Sequence, residues 1–134
     1  MVELTVKGND LHVEILGWDK LLGLKSSVDV PLGAIKSISA TAGLPTFRRT
    51  DIRVLGTGIP QVMAVGTYWI GSPHRWAFLD LRRSSKDVVS LEIEGQFYSS
   101  IIVEVKNAEM AIEQILGSNG TIAQMSHNRL QQGD

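Results

Sequence analysis

Residues 66–83, GTYWIGSPHRWAFLDLRR, place two tryptophans, a tyrosine, a histidine and three arginines in a chain whose aromatic content is 6%. The stretch reads either as aromatic and cationic groups gathered around one spot or as the two arms of a hairpin. Its alternation decides for the hairpin. Before the GSPH turn, Val62, Ala64, Gly66, Tyr68 and Ile70 fall on one face and Met63, Val65, Thr67 and Trp69 on the other. After it, Ala77, Leu79 and Leu81 oppose Trp76, Phe78 and Asp80. This predicts strands over Val62–Ile70 and Arg75–Leu81. Trp69 and Trp76 are suited to cross-strand packing, His74 and Arg75 crown the turn, and Arg82 and Arg83 leave from the far end. Both faces are largely apolar, so both require a cover. The interior is one; the C-terminal helix, the segment around Trp18 or a neighbouring subunit is the expected other.

Upstream, VELTVKGNDLHVEIL alternates about a KGND turn. Leu4, Val6, Leu11, Val13 and Ile15 lie on the apolar faces and His12 and Glu14 on a polar one, which predicts a second hairpin. GWDKLLGLK breaks that period and reads as a short helical turn or a wide connection. SSVDVPL resumes alternation through Val28 and Val30 until Pro31, which cannot donate to a ladder, and AIKSISA follows as another strand. Residues 42–61 hold two of the four prolines and little periodicity outside DIRVL, so they read as one long irregular connection, a place where function often resides. Val88–Ile93 and Phe97–Val105 complete eight candidate strands, joined by RRSSKD and EGQ, lengths that fit antiparallel hairpins. The period then changes to 3.6. In NAEMAIEQILG, Ala108, Ala111, Ile112, Ile115 and Leu116 form one stripe, with Asn107 placed to cap, Glu109 in the first turn and Gly117 at the stop, predicting a helix over about 107–116. Residues 1–117 read as a single domain, and the polar stretch 118–134 as a flexible tail.

Seven or eight short antiparallel strands argue for two packed sheets or a closed barrel, and the one helix that follows, set over an open end, makes a bent antiparallel barrel the expected mainly β (α+β) fold. LGWDKLLGLKSSVDVPLGAIKSI, RVLGTGIPQVMAVGTYW and RWAFLDLRRSSKDVVSLEIEGQFYSSIIVEVKNAEMAIEQI resemble a family of small bacterial proteins, mostly of uncharacterised function, with a bacterial pleckstrin-homology-like fold. The resemblance extends over about residues 3–116 and implies that barrel and its C-terminal helix. Members of the superfold that bind phosphoinositides cluster basic residues in the loop after the first strand. Here that loop is KGND, with one lysine and one aspartate, which argues against phosphoinositide or membrane binding.

Composition narrows the functions further. In 134 residues, 13 Lys and Arg stand against 14 Asp and Glu, a net charge of -1, so the positive field that draws nucleic acid is missing. Without cysteine there is no disulfide framework, thiolate metal site or cysteine nucleophile. Glu3, Lys7, Asp10 and Glu14 interrupt every apolar run near the start, so neither a secretion signal nor a membrane span is expected there, and the cytoplasm is the expected location. GTGIP at 56–60 lacks the lysine and hydroxyl of a phosphate loop and reads as a glycine turn. His12, His74 and His127 are isolated, with no metal-ligand spacing, and no G-x-S-x-G occurs. No catalytic, cofactor or metal residue is assigned, and an enzyme is the least favoured class.

The basic residues carry the remaining signal. A hairpin from Val62 to Leu81 brings the loops before and after it to one end, so Arg48, Arg49, Arg53, Arg82, Arg83 and Lys86 are expected to converge on an anion or an acidic partner segment. The competing reading is a solvated face neutralised by Asp51, Asp80 and Asp87. Together these features favour a noncatalytic binding or self-assembly module that uses strand edges or the 42–61 loop to hold a protein partner or a second copy of itself. A carrier of a small apolar or anionic molecule is the alternative, opposed by inward side chains large enough to fill a small barrel.

Overall fold

The computed structural model describes residues 1–17, 19, 25–43, 52–59, 62–71 and 73–118. The expected turn around Trp18, the 119–134 part of the tail, and Arg48 and Arg49 therefore lie outside the described residues. Among the described residues nine strands precede a helix: β1 (Val2–Lys7), β2 (Asp10–Ile15), β3 (Ser27–Pro31), β4 (Ile35–Thr41), β5 (Ile52–Ile59), β6 (Met63–Ile70), β7 (Arg75–Arg82), β8 (Val88–Ile93), β9 (Ser100–Glu104) and α1 (Ala108–Ser118). They form a three-stranded sheet in the order β1-β2-β3 and a six-stranded sheet in the order β4-β8-β9-β7-β6-β5. The mainly β class and the C-terminal helix agree with the sequence reading; the closed antiparallel barrel does not. Pro31 and a 3-10 turn over Leu32–Ala34 end β3 before β4 starts in the second sheet, and no ladder among the described residues joins the two sheets.

Nor is the larger sheet wholly antiparallel. β7 and β8 do not form the hairpin that the short RRSSKD connection suggested. β8 is laid down one position away, and β9 returns into the gap, antiparallel to β8 and parallel to β7 with Phe78 opposite Ile101. The sequence of β9 explains why it can sit there. Ile101 and Val103 are buried on one face while Ile102 packs on the other, the two-sided apolar character of a central strand. β9 begins at Ser100, three residues later than expected from the sequence reading of Phe97, because 94–97 form a bend.

The 42–61 segment is a second correction. Ile52–Ile59 is the edge strand β5, antiparallel to β6, with Gly56 directly opposite Gly66. Its two glycines remove the β-propensity that would have marked it. Gly56 lies at φ +115°, and a Cβ there would stand 2.1 Å from the Val65 carbonyl oxygen, so the close approach of β5 to β6 requires glycine at this position.

One core fills the space between the sheets. Leu11, Val13 and Ile15 of β2 meet Phe78, Leu91, Ile101 and Val103 of the larger sheet, and Ile115 of α1 closes the side. The helix starts as its sequence requires: the Met110 N–H donates to Asn107 Oδ1 at 3.0 Å, and the Ala108 N–H donates to Asp87 Oδ1 at 3.1 Å. It runs through Gly117 to Ser118, one turn-fraction beyond the expected stop. On the opposite face of the larger sheet, Ala64, Tyr68, Ala77, Leu79, Leu81 and Val88 form a second buried cluster. The two apolar faces read from the hairpin are thus both buried.

Candidate functional site

The phase of the β2–β3 ladder determines what β3 shows to its outer side. The Ile15 N–H donates to Ser26 O at 2.9 Å and the Leu32 N–H to Asn9 O at 2.8 Å. Counting in twos along the register, Val28 and Val30 bond to β2, and the backbone groups of Ser27, Asp29 and Pro31 point away from it. No strand among the described residues pairs with that side. Pro31 has no donor, so the open edge offers two N–H groups, at Ser27 and Asp29, and stops.

Beside this edge lies a cleft of about 300 Å³, lined on one side by Lys25 and Ser27–Val30 and on the other by Ile93, Gln96, Phe97 and Tyr98. Aromatic rings run from the core through the cleft to the surface. Tyr98 is anchored inside, edge-on to Phe78 at 5.7 Å between centroids, with its hydroxyl 2.7 Å from Thr67 Oγ1. Phe97 meets Tyr98 edge-on at 5.1 Å and stacks on Trp76 at 5.2 Å; Trp76 faces Trp69 at 6.3 Å, and Trp69 carries His74 at 4.7 Å. Phe97 is 63% exposed and Trp69 39%. The Lys25 ammonium sits 5.9 Å above the Tyr98 ring, within cation–π range. Trp69 and Trp76 are register partners, as the alternation predicted.

The polar face of the small sheet borders the same edge. His12 lies opposite Asp29, with Nδ1 2.6 Å from Asp29 Oδ1 and Nε2 2.8 Å from Glu14 Oε2. Hydrogen bonds to Asp29, then to Glu14, raise its pKa above 6.5.

A second group of charges sits at the other end of β7. Arg82 pairs with Asp19 through two bonds, Nη2 to Oδ1 at 2.7 Å and Nη1 to Oδ2 at 3.3 Å. The Met1 α-amino group contacts Asp19 Oδ2 and lies 3.1 Å from Asp80 Oδ1. Asp80 is fully buried, and its Oδ2 has no hydrogen-bond partner among the described residues. Burial first, and the neighbouring Asp19 next, push the Asp80 carboxyl up to about 7. Burial acts on Asp19 in the same sense, but hydrogen bonds from Arg82, Asp80 and the α-amino group outweigh it and hold Asp19 well below the usual carboxylate range.

No protein-family model, curated protein or solved structure matches this chain. Its own geometry must therefore carry the reading. Among the described residues no group of three or more histidine, aspartate and glutamate side chains is placed to hold a metal ion, and no helix is long and apolar enough to cross a membrane.

Of the basic residues expected to converge, Arg48 and Arg49 lie outside the described residues. Arg82, Arg83 and Lys86 share the end of β7 and the loop after it, but Arg53 is opposite Tyr68 whereas Arg82 is opposite Met63. Since β5 runs back along β6, the backbone of Arg53 lies near the turn end of the hairpin, five residues along β6 from Arg82. Arg82 is also committed to Asp19. The sequence reading missed the Asp19–Asp80 pair and the β3 edge. Two signals pointed to them: Asp80 alternates in phase with Phe78, and Pro31 is the residue of an edge strand.

Proposed function

We propose that this chain is a noncatalytic binding module that takes an extended protein segment onto the outer edge of β3. The observation that carries the reading is the cleft itself: outward backbone groups at Ser27 and Asp29 on one wall and the exposed Phe97 ring with Tyr98 on the other. Backbone pairing supplies affinity in such a mode, and alternate side chains reaching the rings supply selectivity. A short edge ended by proline accepts one segment without propagating into open-ended assembly. Self-pairing of β3 is disfavoured, because an antiparallel copy centred on Asp29 sets two carboxylates opposite each other. The order of elements, strands first and one helix last, supports a pleckstrin-homology-like relationship; the parallel β7–β9 pair and the separate sheets are where the chain departs from that form.

The carrier and enzyme readings receive less support. The space between the sheets is filled by side chains such as Leu11, Phe78 and Ile101, and the perturbed carboxylates are tied to Arg82 and the α-amino group.

Ser27→Pro tests the proposal. It removes one outward donor and leaves the β2–β3 ladder intact, so stability changes by about 1 kcal/mol or less. Binding of short synthetic peptides with alternating valine, followed by tryptophan fluorescence, is expected to weaken about tenfold or more, one hydrogen bond plus a steric block. Unchanged binding in a folded Ser27→Pro protein, or no binding of any such peptide to the native chain, contradicts the proposal.

A further inference from the structure

The edge has a definite charge preference, and it follows from which face of the small sheet each residue occupies. Residues of an added strand that lie opposite Ser27 and Asp29 share the outer face of that sheet; those opposite Val28 and Val30 turn inward over Phe97 and Tyr98. The outer face carries Glu3 and Lys7 from β1, Asp10, His12 and Glu14 from β2, and Asp29 from β3. Four carboxylates thus stand against one lysine and one histidine, and the histidine is already shared between Glu14 and Asp29. Asp29, its side chain 60% exposed, is the member at the rim. Its backbone faces the incoming strand, so its direct cross-strand neighbour there completes the row Thr5, His12, Asp29. Resting on the edge-binding reading above, we infer that the partner is an extended segment in which basic residues alternate with apolar ones. Lysine or arginine lies opposite Asp29, and aliphatic or aromatic side chains enter the cleft. An acidic segment meets like charge at the same position, and a wholly apolar one offers the Asp29 carboxylate no opposite charge.

The test compares two synthetic peptides, alternating valine–lysine and alternating valine–glutamate, each titrated at moderate salt into the native chain and into Asp29→Lys, with amide NMR shifts reporting the site. The native chain is expected to bind the valine–lysine peptide about fivefold or more tightly, since one to two cross-strand charge pairs change sign between the peptides. Asp29→Lys is expected to reverse the order. Because Asp29 is exposed, the variant is expected to fold, and its amide spectrum verifies that it has. Equal binding of both peptides with shifts at Ser27 and Asp29 overturns the charge preference while the edge reading stands. So does a preference for valine–lysine that Asp29→Lys leaves unchanged. Failure of both peptides to shift Ser27 and Asp29 overturns both.

Discussion

Gly56→Ala is expected to cost about 4 kcal/mol or more, enough to unfold many domains of this size. The added Cβ meets the Val65 carbonyl oxygen at 2.1 Å and the Gly66 Cα at 2.8 Å, both backbone, so no side-chain rotation relieves it. The backbone torsion at Gly56, φ +115°, adds strain for any L side chain. Either β5 separates from β6 or the ladder distorts along its length. Gly33→Ala is the control, with nothing within 4 Å of its Cβ and no left-handed torsion, and is expected to change stability by about 0.5 kcal/mol or less. Chemical denaturation of both variants checks the pair. A Gly56→Ala protein as stable as Gly33→Ala refutes the placement of β5 against β6.

The second large effect concerns pH. The folded chain holds a proton on Asp80 up to about pH 7, whereas the unfolded chain releases it near the ordinary value of 3.8. Between those limits the folded state binds more protons, so stability falls as pH rises, by up to about 1 kcal/mol per unit. Asp80→Asn removes the ionisation and is expected to flatten this slope, leaving the variant more stable than the native chain by about 2 kcal/mol at pH 8. Asp19→Asn acts in the other direction: it strips Arg82 and the α-amino group of their partner and is expected to destabilise by about 2 kcal/mol at neutral pH, discounted because the Arg82 side chain is 35% exposed. His12 adds to the native slope with the same sign. Its raised pKa gives stability that is present below pH 6.5 and is lost as pH climbs through the folded value, and His12→Gln separates that part. Denaturation profiles from pH 4 to 9 distinguish the three variants. A slope in Asp80→Asn equal to that of the native chain contradicts the assignment.

What could be read from the sequence and what could not follows from the range of the forces involved. The β1–β2 and β6–β7 hairpins were legible because their residues alternate about short turns, a local pattern, and α1 because a 3.6 period coincides with the Asn107 cap. β5 was hidden by its glycines, and the value of Gly56 lies in a neighbour's carbonyl that stands too close for a Cβ. The insertion of β9 between β7 and β8 is a nonlocal choice that hairpin lengths cannot reveal, although the IIV run in β9 already had the two-sided apolarity of a central strand. The candidate site divides in the same way. The rings of Trp69 and Trp76 were located by alternation, whereas their continuation through Phe97 and Tyr98 depends on a bend read as strand. Of the basic residues, Arg53 was read into a loop but belongs to β5, whose backbone register places it five residues along β6 from Arg82.

The most direct measurement of the central claim is amide hydrogen exchange at β3, residue by residue, with and without the alternating valine–lysine peptide. Ser27 and Asp29 face outward without a strand partner among the described residues, while Val28 and Val30 are bonded to β2. Segment binding at this edge predicts that exchange at Ser27 and Asp29 slows about tenfold or more on adding peptide, with Val28 and Val30 nearly unchanged. Peptide that binds while Ser27 and Asp29 keep their free exchange rates, with new protection elsewhere in the chain, contradicts it.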